Sequence, residues 1–151
     1  MTGKSMKPNI LIVESPYYAH IAEELSAGAV QAIEAAGGSY ERLEVPGALE
    51  IPVAIAMASE THRYDGFVAL GCVIRGETSH YDVVAAESAR ALMDLATIRG
   101  LAIGNGILTV DNGEQAMVRA RVAEKNKGGD AARACLSLIS VRTRFSRKSA
   151  K

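Results

Sequence analysis

Phe67-Val68-Ala69-Leu70-Gly71-Cys72-Val73-Ile74 is an unbroken apolar run closed by Arg75-Gly76-Glu77-Thr78-Ser79-His80-Tyr81. A strand with one wet face alternates apolar and polar residues. One that is apolar on both faces belongs inside a parallel sheet covered by helices on each side. The stretch therefore predicts a central strand followed by a strand-to-helix turn, and places the chain in the α/β class.

Working outward, Ile10-Leu11-Ile12-Val13 is a second, shorter strand run. Behind it Ile21, Leu25, Gly28, Ala32 and Ala36 recur at helical spacing until Gly37-Gly38 ends the helix. Residues 40–45 alternate weakly, Pro46-Gly47 breaks them, and residues 49–60 read as an alanine-rich helix. Beyond the central strand, residues 84–96 are helical and 101–108 form another apolar strand. Residues 114–121 and 131–141 close the chain as helices. Four strands alternating with helices predict a doubly wound, flavodoxin-like three-layer α/β/α sandwich on a four-stranded parallel sheet. Residues 1–151 are read as one domain, with basic, polar and loose ends at 1–8 and 146–151.

Composition narrows the function. Seventeen Lys plus Arg balance seventeen Asp plus Glu, so neither nucleic acid nor an anionic membrane is an expected partner. No run approaches the roughly 18 apolar residues that cross a bilayer, and the first residues lack the apolar core of a secretion signal. Cys72 and Cys135 are far apart and form no metal set with His20, His62 and His80. The expected location is a reducing cytoplasm.

In such sheets ligands bind beyond the carboxyl ends of the strands, so the residues after Val13, Val45, Ile74 and Ile103 are expected to converge. Ser79-His80-Tyr81-Asp82 fits a capping box, with Ser79 as N-cap and His80 in the first helical turn. The positive end of the helix dipole there favours a neutral imidazole, available as a general base; an equal alternative is that His80 only bonds the turn. The amides of Gly76, Glu77 and Thr78 suit a phosphate, although helix starts are common. Ser79 and Asp82 are assigned to capping, and Arg75 to a solvated charge.

Other strand ends offer weaker candidates. Val45-Pro46-Gly47-Ala48-Leu49-Glu50-Ile51-Pro52 presents backbone groups at Ala48, Leu49 and Glu50 plus one carboxylate, or is an ordinary helix entry. Tyr17 follows the first strand, where an aromatic ring suits stacking on a planar heterocycle or merely packs on the surface. Asn105 interrupts an apolar run, satisfying a buried loop or reaching a ligand. Arg119 on the following helix and Lys127 in the turn Asn126-Lys127-Gly128-Gly129 are solvated bases or a phosphate clamp.

Read together, the segment from Val45 to Pro52, the segment from Gly71 to Asp82 and Asn126-Lys127-Gly128 closely resemble lumazine synthase, over a match running essentially without gaps from about residue 9 to residue 141. The resemblance implies condensation of 5-amino-6-ribitylamino-uracil with 3,4-dihydroxy-2-butanone 4-phosphate, in the penultimate step of riboflavin biosynthesis. It implies neither metal nor organic cofactor. It places Tyr17 on the pyrimidine, and Ala48, Leu49, Glu50, Cys72, Val73 and Ile74 along the uracil and ribityl chain. Glu77 and Thr78 match the phosphate-side loop, and His80 matches the proton-transferring histidine. Asn105 and the phosphate-binding Arg119 match positions supplied by a neighbouring subunit, and Lys127 falls in the matched Asn-Lys-Gly.

Members of that family form pentamers with interfacial sites, and some pair into decamers or close into icosahedral shells. Arg121-Val122-Ala123-Glu124-Lys125 replaces the glycine- and lysine-containing turn typical of shell formers, and Pro8 with its short arm argues against a donated strand. A free pentamer is the expected assembly. The rival class is a non-catalytic flavin binder on the same fold, against which intact His80 and Arg119 favour the enzyme; a phosphoacceptor receiver domain is set aside, because Glu14 alone does not supply its acidic cluster.

Overall fold

The computed structural model describes residues 7–149, and the elements run β1 Asn9–Glu14, α1 Ala19–Ala35, β2 Ser39–Glu44, α2 Glu50–Ser59, β3 Gly66–Ile74, α3 His80–Arg99, β4 Ile103–Val110, α4 Gly113–Ala120 and α5 Lys127–Ser149. All strand pairings are parallel, in the order β2-β1-β3-β4. This is the flavodoxin-like order expected, with its switch point between β1 and β3.

The two faces of β1 and β3 explain their composition. Ile10, Ile12, Val68 and Leu70 join one core cluster under α1, α4 and α5. Leu11, Val13, Phe67 and Ala69 join the other under α2 and α3. Alternate side chains go to opposite layers, so the middle of β1 and β3 is apolar on both faces. The edge strand β2 is mostly exposed, which accounts for its weak alternation.

On the second edge, β4 runs against α5 closely enough that a Cβ on Gly104 would overlap the Ala131 backbone carbonyl. A similar approach seats α5 on α1 at Gly128, beside the Leu25 carbonyl. These glycines set the depth at which α5 lies.

Three boundaries differ from expectation. Helix α3 starts at His80 and ends at Gly100 in the left-handed conformation (φ 66°), longer than the predicted 84–96, because its buried stripe of Val84, Ser88 and Leu92 is narrow. Strand β4 spans Ile103–Val110, so Ile103 is its entrance and its carboxyl end lies at Val110. Helix α5 begins at Lys127, which overturns the turn assigned to Lys127, and it runs to Ser149. Asn126, at φ 49°, makes the bend, and its side-chain oxygen accepts from Gly129 N at 3.2 Å. Of the loose ends expected at 1–8 and 146–151, residues 1–6 and 150–151 lie outside the described residues; the Pro8 carbonyl accepts from Ser39 N.

Candidate active site

The carboxyl ends of the four strands are tied to one another by hydrogen bonds. Ser15 N donates to the Leu70 carbonyl at 3.0 Å, Ser15 Oγ reaches the Pro46 carbonyl at 3.3 Å, and Arg75 N donates to the Val110 carbonyl at 2.9 Å. The loops after β1, β2 and β3 thereby share one end of the sheet.

Tyr17 is 76% exposed, with its ring edge-to-face against Tyr18 at 4.8 Å between centroids. Tyr18 is half-buried beside Cys72, and burial raises its phenol above the ordinary tyrosine range. The pair is one fixed ring holding one free ring, an arrangement suited to stacking on a flat heterocycle. Ala48 is buried, while Leu49 and Glu50 are exposed at the start of α2. Cys72, Val73 and Ile74 are half-buried at the end of β3, and burial pushes the Cys72 thiol up to about 11, so it stays protonated and unreactive near neutral pH.

Between β3 and α3, residues 75–80 are all exposed. Ser79 does occupy the N-cap position, but its hydroxyl makes no capping bond. Thr78 does the work instead, its Oγ1 accepting from His80 N at 3.2 Å. The expected cap fails because Ser79 adopts φ −74°, ψ 0°, not the extended backbone that aims an N-cap oxygen back into the helix. His80, Glu77 and Gly76 line the mouth of the turn with nothing packed over Gly76.

Two side chains assigned by sequence to solvent and capping have different roles. Arg75 Nε donates to Asp111 Oδ1 at 3.1 Å, its Nη1 lies 3.8 Å from Asp82 Oδ1, and its guanidinium sits 4.4 Å over the Tyr81 ring. Asp82 therefore serves this cluster. Sequence reading also missed the partner of Glu14, which is 2% exposed at the end of β1 and accepts from Nε and Nη2 of Arg42 of β2, at 2.7 and 3.2 Å. Neither partnership has a local sequence signature.

Asn105, Arg119 and Lys127 do not join this group. They line a separate cleft of about 430 Å³ on the open edge of β4, together with Ile107, Thr109 and Asp130. Asn105 is an exposed edge-strand residue, with its Oδ1 accepting from Ile107 N at 2.9 Å, so it satisfies no buried loop. Arg119 leaves α4 in its last turn and donates to the Gln115 carbonyl at 3.1 Å, while Lys127 Nζ is 3.6 Å from Asp130. On the other flank of β4, Asp82, Ala85, Ala86 and Ala89 of α3 face Asn105 and Thr109 across a second cleft of about 490 Å³. The chain thus carries two groups of candidate residues, one at the strand ends and one beside its exposed edge. Among the described residues no group of three or more His, Cys, Asp or Glu could hold a metal ion.

The sequence profile described as 6,7-dimethyl-8-ribityllumazine synthase matches residues 7–143. Proteins of that name from three bacteria are similar along most of their length. The one from Bartonella tribocorum is 57% identical over 140 residues, covering 92% of this chain and 93% of the relative. The Zymomonas mobilis protein is 58% identical, covering 90% and 97%. The Methylorubrum populi protein is 60% identical, covering 88% and 82%.

Proposed function

This chain belongs to the 6,7-dimethyl-8-ribityllumazine synthase family, a transferase family of riboflavin biosynthesis, and from that premise we propose how it divides the reaction between its two groups of residues. The substrates are 5-amino-6-ribitylamino-uracil and 3,4-dihydroxy-2-butanone 4-phosphate. Tyr17 stacks on the pyrimidine; Ala48, Leu49, Glu50, Cys72, Val73 and Ile74 border the uracil and ribityl chain. Glu77 and Thr78 receive the phosphate side of the butanone.

The 5-amino group adds to the ketone and water leaves, giving an imine. Phosphate is then eliminated, the resulting enol tautomerises to a ketone, and the ribitylamino nitrogen closes the ring on that carbonyl with loss of a second water. His80 shuttles the protons of these steps. Arg119, with Lys127 near it, holds the departing phosphate, whose charge a guanidinium matches in a bidentate way. Joining two reactants in one orientation supplies much of the acceleration, so no cofactor is assigned a step.

The observation that carries this reading is the separation of Arg119, Lys127 and Asn105 from His80. A cleft beside an open strand edge becomes a site when another copy of the chain brings its own strand ends to it. The pentamer is the assembly proposed, without decamer or shell formation. An apolar groove between α2 and α3 supports a covered face: Leu49, Val53, Ala91, Leu95 and Ile98 line it, and Ile98 is 78% exposed. The turn after α4 closes on itself through Arg121 and Glu124 at 2.8 Å, and Val122 N bonds Glu24 at 2.9 Å, while the arm before residue 7 lies outside the described residues. Cys72 and Cys135 are both free, as suits the cytoplasm we assign, and no helix of the described residues is long and apolar enough to cross a membrane.

Mixing the purified protein with both substrates should generate lumazine fluorescence, and light scattering should give the mass of a pentamer. Riboflavin binding without product formation would favour a flavin carrier and overturn the enzymatic reading. Activity in a stable monomer would overturn the shared site.

A further inference from the structure

One side chain brackets the phosphate-side loop. Arg75 is its first residue, and the Arg75 guanidinium touches Tyr81 and Asp82 just beyond its last, closing Gly76-Glu77-Thr78-Ser79-His80 into a stapled loop. Inside that loop the only side-chain bond is Thr78 Oγ1 to His80 N, so little else restrains it among the described contacts. The same guanidinium reaches Asp111, after β4. Asp111 N donates to Gln115 Oε1 at 2.7 Å, Gln115 N donates to Asn112 Oδ1 at 2.9 Å, and Arg119 Nη1 donates to the Gln115 carbonyl. Arg75, Asp111 and Gln115 thus link the His80 loop to the arginine of the β4 edge.

The geometry points to Arg75 as a positioning residue that fixes the phosphate-side loop and, through Asp111 and Gln115, the helix that presents Arg119. This inference rests on the proposed site and extends it. Arg75 contacts no substrate; it acts through the residues that do. Because Arg119 serves a neighbouring site while the loop serves its own, each Arg75 stands between two adjacent sites of the assembly.

An arginine is required by the shape of the cluster. Its Nε donates to Asp111 in the guanidinium plane while its face lies on Tyr81, and a lysine ammonium has no such plane to divide between the two. Exposed ion pairs of this kind add little to folding stability. The consequence of breaking them is misplacement of the loop, to which catalysis is far more sensitive.

The test is steady-state kinetics of Arg75→Ala, Arg75→Lys and Asp111→Asn, varying each substrate in turn, with thermal unfolding and light scattering on the same samples. Arg75→Ala should raise KM for the butanone phosphate about tenfold and leave KM for the uracil within about twofold, with melting temperature and assembly unchanged. Arg75→Lys should recover only part of the loss. Asp111→Asn should shift the same constant, and the double variant should be no worse than Arg75→Ala. Unchanged kinetics in Arg75→Ala, or an equal rise in both KM values with loss of assembly, would overturn the inference. If the unaltered protein forms no lumazine, the reading of the site fails first and this inference with it.

Discussion

Arg42 of the edge strand β2 grips the Glu14 carboxylate of β1 from the side, placing Nε 2.7 Å from Oε2 and Nη2 3.2 Å from Oε1. The Glu14 side chain is 3% exposed and Arg42 46%, so the carboxylate lies inside and its partner reaches in from the rim. A buried charge without its counter-ion is costly, whereas an apolar replacement of the charge itself is tolerated. Arg42→Ala should therefore destabilise the protein by about 2 kcal/mol in urea titrations. Glu14→Leu combined with Arg42→Ala should lose less than Arg42→Ala alone. A more severe loss in the double variant would show that the ion pair itself contributes net stability.

Removing each proposed participant in the chemistry should have a distinct effect. His80→Ala should lower kcat roughly ten- to hundredfold and leave measurable turnover, since orientation of the two substrates survives. Arg119→Ala should lower kcat/KM for the butanone phosphate roughly a hundredfold or more, because an anion-binding guanidinium is lost. A dead His80→Ala enzyme with intact assembly would contradict the weight given to orientation.

Gly104→Ala should be among the most damaging small changes. Its new Cβ would meet the Ala131 backbone carbonyl, and backbone cannot rotate aside as a side chain can. The expected cost is about 3 kcal/mol or more, read as a fall in denaturation midpoint or loss of soluble protein. Gly113→Ala, at the first residue of α4 with nothing within 4 Å, should be neutral or slightly stabilising.

Alkaline pH should weaken the fold through its buried thiols. Burial pushes Cys135 up to about 12 from an ordinary 9.0. The folded state therefore keeps a proton that the unfolded chain releases. This contribution is fully present below about pH 9 and is lost as pH rises from there toward about 12. The urea midpoint should be lower at about pH 10 than at neutral pH, and Cys135→Ala should reduce that drop. Cys72, pushed up to about 11, should retain part of it. An identical drop in Cys135→Ala would remove Cys135 from the account.

Much of the fold was legible because it rests on local pattern. The strands, their order and the helix following each strand appear in apolar runs, helical spacing and glycine punctuation. The boundaries of α3 and α5 were not, because both helices extend through polar, exposed turns that carry no apolar periodicity. At the strand ends, the strand-end rule and the family motifs pointed to Tyr17, His80 and the loop residues, and the structure places these at that end of the sheet. The capping by Thr78 was hidden in one pair of backbone angles at Ser79.

By itself, the sequence from Phe67 to Ile74 determined a central parallel strand, since two-sided burial requires apolar residues throughout, and the motif that follows it carried the family. Tertiary structure alone decided what Arg75 does. The β3/β4 register sets Ile74 against Val110, and the next residues of the two chain segments, Arg75 and Asp111, meet although they are 36 positions apart. It also decided that His80 and Arg119 stand in different groups. Strand ends and strand edges are different surfaces of one sheet, and pattern along a chain does not record which surface a helix will face.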